Sequence, residues 1–168
     1  MKTKYWRLGG LGAIAGLVLW VLPAWAELQR YQIIALVEAL RVSAPQGQTA
    51  ETLYGPWKIR PNNITRWSRW CLGEPVTPEA FATNLEQTRE VLICIVGDVL
   101  AEEYATSAQD ENLAIRRTAA WWVSGNANLY DQGDIAVYTN KVWESYEDFR
   151  NNPTDFYLPK SGISKPLD

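Results

Sequence analysis

Residues 84–105 read NLEQTREVLICIVGDVLAEEYA, and the reading of this run decides the fold. Leu85, Leu92, Ile95 and Val99 recur at helical spacing, and Val91, Ile93 and Val96 widen their stripe almost all the way round. A helix that apolar over its middle turns has little to offer water and belongs at the centre of a small domain. It carries Cys94 and, inside the apolar run, one acid, Asp98.

The flanking signals place the other elements. Asn84 followed by Gln87 is a capping-box pattern that opens the central helix. Just upstream, Thr77-Pro78-Glu79 offers a Thr cap, Pro at the first helical position and an acid in the first turn, which starts a short helix. Asn63 reads as the cap of another short helix over 64–72, closed by Gly73. Ile64, Trp67 and Cys71 share one face of it, while Arg66, Arg69 and Trp70 lie toward the other side. Residues 43–63 carry turn signals and a short strand at 57–59 with no evident partner. The first helix covers 27–42, with Leu28, Tyr31, Ile34, Ala35, Val37 and Leu40 expected inward.

Downstream, Ser107 or Asp110 caps a helix over 111–124 that Gly125 ends. Its stripe is Leu113, Arg117, Ala120, Trp121 and Ser124, widened by Ala119, Trp122 and Val123. The last helix runs from 134 to about 149 on Ile135, Tyr138, Val142, Tyr146 and Phe149, until Asn151-Asn152-Pro153 stops it. The expectation is an all-α protein: one compact domain over 27–150, about five helices of which two are short, packed around the central apolar helix. A flexible tail is expected over 151–168, and no internal repeat is visible.

The amino end has the anatomy of a secretory signal. Lys2, Lys4 and Arg7 precede an apolar run from Leu8 to Leu22, and Ala24-Trp25-Ala26 supplies a small-x-small cleavage site. The run falls short of the roughly 18–20 residues that a spanning helix needs, so cleavage after Ala26 is expected and no stable membrane span after it. Within the run, 10–15 match the dinucleotide fingerprint, but no strand precedes them and the match is discarded. Of 16 basic and 19 acidic residues, cleavage removes three bases and no acid. The resulting acidic chain argues against nucleic acid as a partner.

The absence of histidine excludes His-based triads, His-ligated zinc and His proton shuttles. Residues 126–131 resemble a calcium loop, but Gly at the sixth position and an acid at the twelfth are lacking. No cofactor or metal is therefore expected. Two cysteines in an exported chain point to one disulfide, Cys71 to Cys94.

Three groups of residues hold chemistry. The basic-aromatic run 57–60 and 66–70 reads either as a binding strip, with Trp57, Arg66, Arg69 and Trp70 as contacts to an acidic partner or to sugar rings, or as structure, with Trp67 in the core and the arginines paired with the acids of the central helix. Trp121 and Trp122 are adjacent on a helix and point about 100° apart, so Trp122 can line a groove while its neighbour is core. Asp98 and Glu102 lie four residues apart on one face, and such carboxylate pairs divide acid and base roles in glycosidases. Against that, Asp98 is expected to pair with Arg116 or Arg117.

Two resemblances bear on function. Residues 119–125, Ala-Ala-Trp-Trp-Val-Ser-Gly, with Tyr138 to Val142 and Tyr146, resemble the last two helices of lysozyme-like lytic transglycosylases. That family carries an Ala-Ala-Tyr-Asn-Ala-Gly turn followed by a Tyr-Val-x-Lys-Val-Leu helix. Its Glu-Ser pair and its Gly-Leu-Met-Gln signature are missing, so Glu102 or Glu103 would have to serve as the acid. Residues 66–68, 71–73 with Thr77-Pro78, and 119–125 resemble a group of small exported cyanobacterial helical proteins without an assigned activity, which implies periplasm or thylakoid lumen if the chain is not secreted outright. The expected function is a non-catalytic exported module that binds a protein or glycan partner in the envelope or lumen. The alternative is a diverged lysozyme-like glycosidase acting on peptidoglycan through Glu102 or Glu103, with Asp98 nearby.

Overall fold

A computed structural model describes residues 29–45 and 52–152. The signal segment 1–26, Leu28 and the tail from 153 lie outside these residues. The described chain is all-α and folds as one domain, with α1 at Arg30–Val42, α2 at Pro61–Leu72, α3 at Pro78–Thr83, α4 at Leu85–Thr106, α5 at Glu111–Ser124 and α6 at Gly133–Asn151. These are the six elements that the sequence signals place one by one, against the approximate five of the overall expectation. Asn84, with φ −93° and ψ 83°, separates α3 from α4 while its side chain accepts from the Gln87 N–H.

The central helix holds its place. α4 packs against α1, α5, α2 and α3, whereas α6 packs against α1 and α5 on the far side. Val91, Leu92, Val96 and Leu100 are wholly buried, and Ile95 nearly so. Gly97 faces Ile33 of α1 closely enough that an added Cβ would lie 3.3 Å from the Ile33 methyl, which sets how near the two helices approach. Four residues of the expected inward stripes are exposed instead: Tyr31, Leu85, Val123 and Ser124. The first two sit in the first turns of their helices and the last two in the final turn of α5. The expected positions of α6, including Val142 and Tyr146, are buried or half-buried.

Most boundaries follow their caps. Thr77 accepts from the Ala80 N–H, Asp110 from the Leu113 N–H, and Gly73 and Gly125 both take left-handed backbone at helix ends. The start of α2 differs. The helix opens at Pro61 rather than after Asn63, because proline's fixed φ suits the first helical position and its missing N–H costs nothing there. Asn63 instead accepts from Arg66. Upstream, Tyr54 and Ile59 bond each other's backbone across a turn, so the strand expected at 57–59 pairs only locally, at Ile59.

Cys71 and Cys94 sit at bonding distance, 2.11 Å between sulfurs, and join α2 to α4.

Buried charge is handled by pairing. Glu38, almost fully buried in α1, is held by Arg41 at 2.6 Å and Arg89 at 3.0 Å. Glu111 at the start of α5 accepts from Gln32 of α1 at 2.7 Å and from Tyr146 and Arg150 of α6. Burial alone would raise the Glu111 carboxyl, but the bonds from Tyr146, Arg150 and Gln32 outweigh it and hold the group below its usual value. A depressed folded value stabilises the fold fully above the unfolded value of about 4.3 and loses that contribution as pH falls through the folded one. Glu111→Gln is therefore expected to cost about 1–2 kcal/mol at neutral pH and to flatten the acid limb of stability, measured as urea midpoints across the acid range. An unchanged limb would remove Glu111 as its source.

Candidate functional cleft

The end of α5 faces the start of α2 across a cleft of about 1030 Å³. Two stretches that are far apart in sequence build it. The turn from Leu53 to Arg60 and the first turns of α2 form one side, and the last turn of α5 with Gly125 forms the other. The turn is tight because Lys58 takes a positive φ of 54°, unusual for a side chain with a Cβ, and its N–H returns to the Gly55 carbonyl.

Tryptophans line the interior. Trp67 of α2 meets Trp121 and Trp122 of α5 at ring-centroid distances of 6.1 and 5.6 Å, both tilted by 30°, within the range where aromatic pairs attract. Trp122 lines the cleft as expected, but Trp121, expected in the core, lines it too. Both are half-buried and both line the cleft, because α5 ends at the cleft and its final turn exposes two faces.

The binding strip is only partly assembled as expected. Arg66 and Trp122 line the cleft, joined by Lys58 and Arg60. Trp57 does not belong to an exposed strip: it is 1% exposed, and its indole N–H donates to the Val37 carbonyl at 2.7 Å. It forms the back wall of the cleft. An indole N–H taken out of water needs such an acceptor. Arg69 and Trp70 are exposed but outside the lining, and the Trp70 indole donates to Asp98 at 3.2 Å.

The acids lie elsewhere. Asp98 is exposed and partnered by Trp70, not by Arg116 or Arg117. Arg117 instead donates to Glu103 at 2.6 Å and to Asn128 at 3.0 Å, knitting α4, α5 and the short turn Ala127–Leu129 together. Arg116 bonds the Tyr130 carbonyl and lies over its ring. Glu102 is exposed. No carboxylate stands among the described residues that line the cleft.

Sequence reasoning passed over Lys58 and Arg60 as contacts and took Trp121 for core. The signal was present in the dense run of cations and indoles over 57–70, but only the fold brings that run against the end of α5. Among the described residues no cluster of acids or cysteines could hold a metal, and no helix is long and apolar enough to cross a membrane. No known protein-family model, curated protein or solved structure matches the chain.

Proposed function

We propose that the protein is an exported, non-catalytic helical module that binds a protein or glycan partner in the cell envelope or lumen through this cleft. Export is supported by the basic, apolar and small-residue pattern of residues 1–26 and by the cysteine pair. The observation that carries the binding reading is the lining itself. Four indoles and three cations meet there, a mixture suited to recognition, while Asp98, Glu102 and Glu103 lie elsewhere with structural partners or in water. The glycosidase reading draws on the likeness of residues 119–125 to lytic transglycosylases. It needs a protonated acid at a scissile bond, and the buried candidate, Glu103, is tied to Arg117.

The experiment pairs two readouts on the purified protein. Retention on native envelope fractions is expected for wild type and should fall about tenfold or more in Trp122→Ala, as for an interface anchor. Equal retention of both proteins would remove the cleft as the binding site. Clearing of a purified peptidoglycan suspension by wild type, lost in Glu102→Gln, would replace the module with the enzyme.

A further inference from the structure

The charge of the cleft runs against that of the chain. Acids outnumber bases 19 to 16, yet Lys58, Arg60 and Arg66 gather along one wall. Elsewhere Arg41, Arg89, Arg117 and Arg150 are each held by a glutamate. The three cleft cations make no ion pair among the described residues, and Arg66 donates only to the Asn63 amide oxygen, at 3.3 Å. Unpaired like charges inside a concavity focus their field and draw anions.

The opposite wall asks for something else. There the last turn of α5 ends, and the Gly125 N–H returns to Trp121 while the Trp122 and Val123 carbonyls accept no bond from described residues. These carbonyls want N–H donors. Between the walls the indoles want apolar bulk. A neutral sugar would leave the three cations without a counter-charge, and the lining holds no carboxylate among the described residues to supply one.

We infer that the cleft takes an acidic peptide segment, its carboxylates against Lys58, Arg60 and Arg66 and a bulky apolar side chain against Trp121 and Trp122. Main-chain N–H groups of the peptide then meet the open carbonyls of α5. This assignment rests on the proposed role as a binding module and names the chemistry of its partner.

The test is fluorescence anisotropy on the purified protein with a short fluorescein-labelled peptide of glutamate and leucine. The comparisons are the same peptide with glutamine in place of glutamate and a labelled acidic oligogalacturonate. The glutamate peptide should bind, weaken with added salt, and weaken about tenfold or more in the double variant Arg60→Gln, Arg66→Gln, as expected for lost charge-assisted bonds. The glutamine peptide should bind wild type equally poorly, and Arg69→Gln, outside the lining, should change nothing. Arg60 and Arg66 are exposed, so the variants should keep the wild-type far-UV spectrum, and the salt dependence of wild type needs no variant at all. Equal binding of the glutamine peptide would overturn the role of charge. Cleft-dependent binding of the oligogalacturonate alone would overturn the peptide and leave the module standing. If Arg66→Gln and Trp122→Ala alter binding of neither probe, both readings fall.

Discussion

Trp57→Ala should be among the most damaging single substitutions in this chain, with an expected loss of about 3–5 kcal/mol of stability. The side chain is the largest of the fully buried ones. It fills the space between the turn at 55–58 and α1, and removing it leaves a void that the surrounding helices can close only in part. Two interactions go with the volume: the bond to the Val37 carbonyl and the Arg89 guanidinium resting 5.7 Å from the ring centre. Arg89 also holds Glu38, so the loss reaches a buried carboxylate. Trp57→Phe keeps most of the apolar bulk and gives up the bond, for an expected cost of about 1–2 kcal/mol. Urea unfolding followed by far-UV circular dichroism checks both. A Trp57→Ala midpoint close to wild type would return Trp57 to the surface strip that its sequence context first indicates.

Loss of the Cys71–Cys94 link should cost about 3 kcal/mol in the chain-entropy account, because the two residues are 23 apart in sequence. The effect should be concentrated in α2, whose backbone packs mainly against α4 and the short α3, so the cation-bearing wall of the cleft loosens with it. The Cys71→Ala, Cys94→Ala double variant is expected to unfold at correspondingly lower urea and to bind its partner less tightly than its residual folded fraction allows. Thiol titration of the denatured wild type should find no free sulfhydryl until a reductant is added. Two free thiols at the outset would contradict the pairing and, with it, one support for an oxidising compartment.

How much of this was legible in the sequence depended on whether the signal was local. The apolar run of α4 could be placed by periodicity alone, since a helix greasy on nearly every side has one destination. Thr77, Asn84, Asp110, Gly73 and Gly125 punctuate the helices where capping chemistry says they should. The cysteine pairing needed only arithmetic. What escaped was decided by tertiary neighbours. Trp57 sits in a segment rich in Gly and Pro with no period, so nothing local reveals that Lys58 turns the chain and points the indole inward. Glu38 looks like any solvated acid on α1 until Arg41 and Arg89 are seen to enclose it. The choice between Asp98 and Glu103 as the partner of Arg117 turns on a little over one helical turn, which spacing cannot resolve. The cleft was the least readable feature, because its two sides meet only when residues near 60 and near 122 are folded together.

The meeting of Trp67 with Trp121 and Trp122 has a mechanical side. α2 and α5 both lean on α4 rather than on each other, so the gap between them is spanned by rings and not by backbone packing. Its width is thus adjustable by small rotations about side-chain bonds, with no helix having to slide. The jaws can admit guests of differing thickness while the body behind them stays rigid.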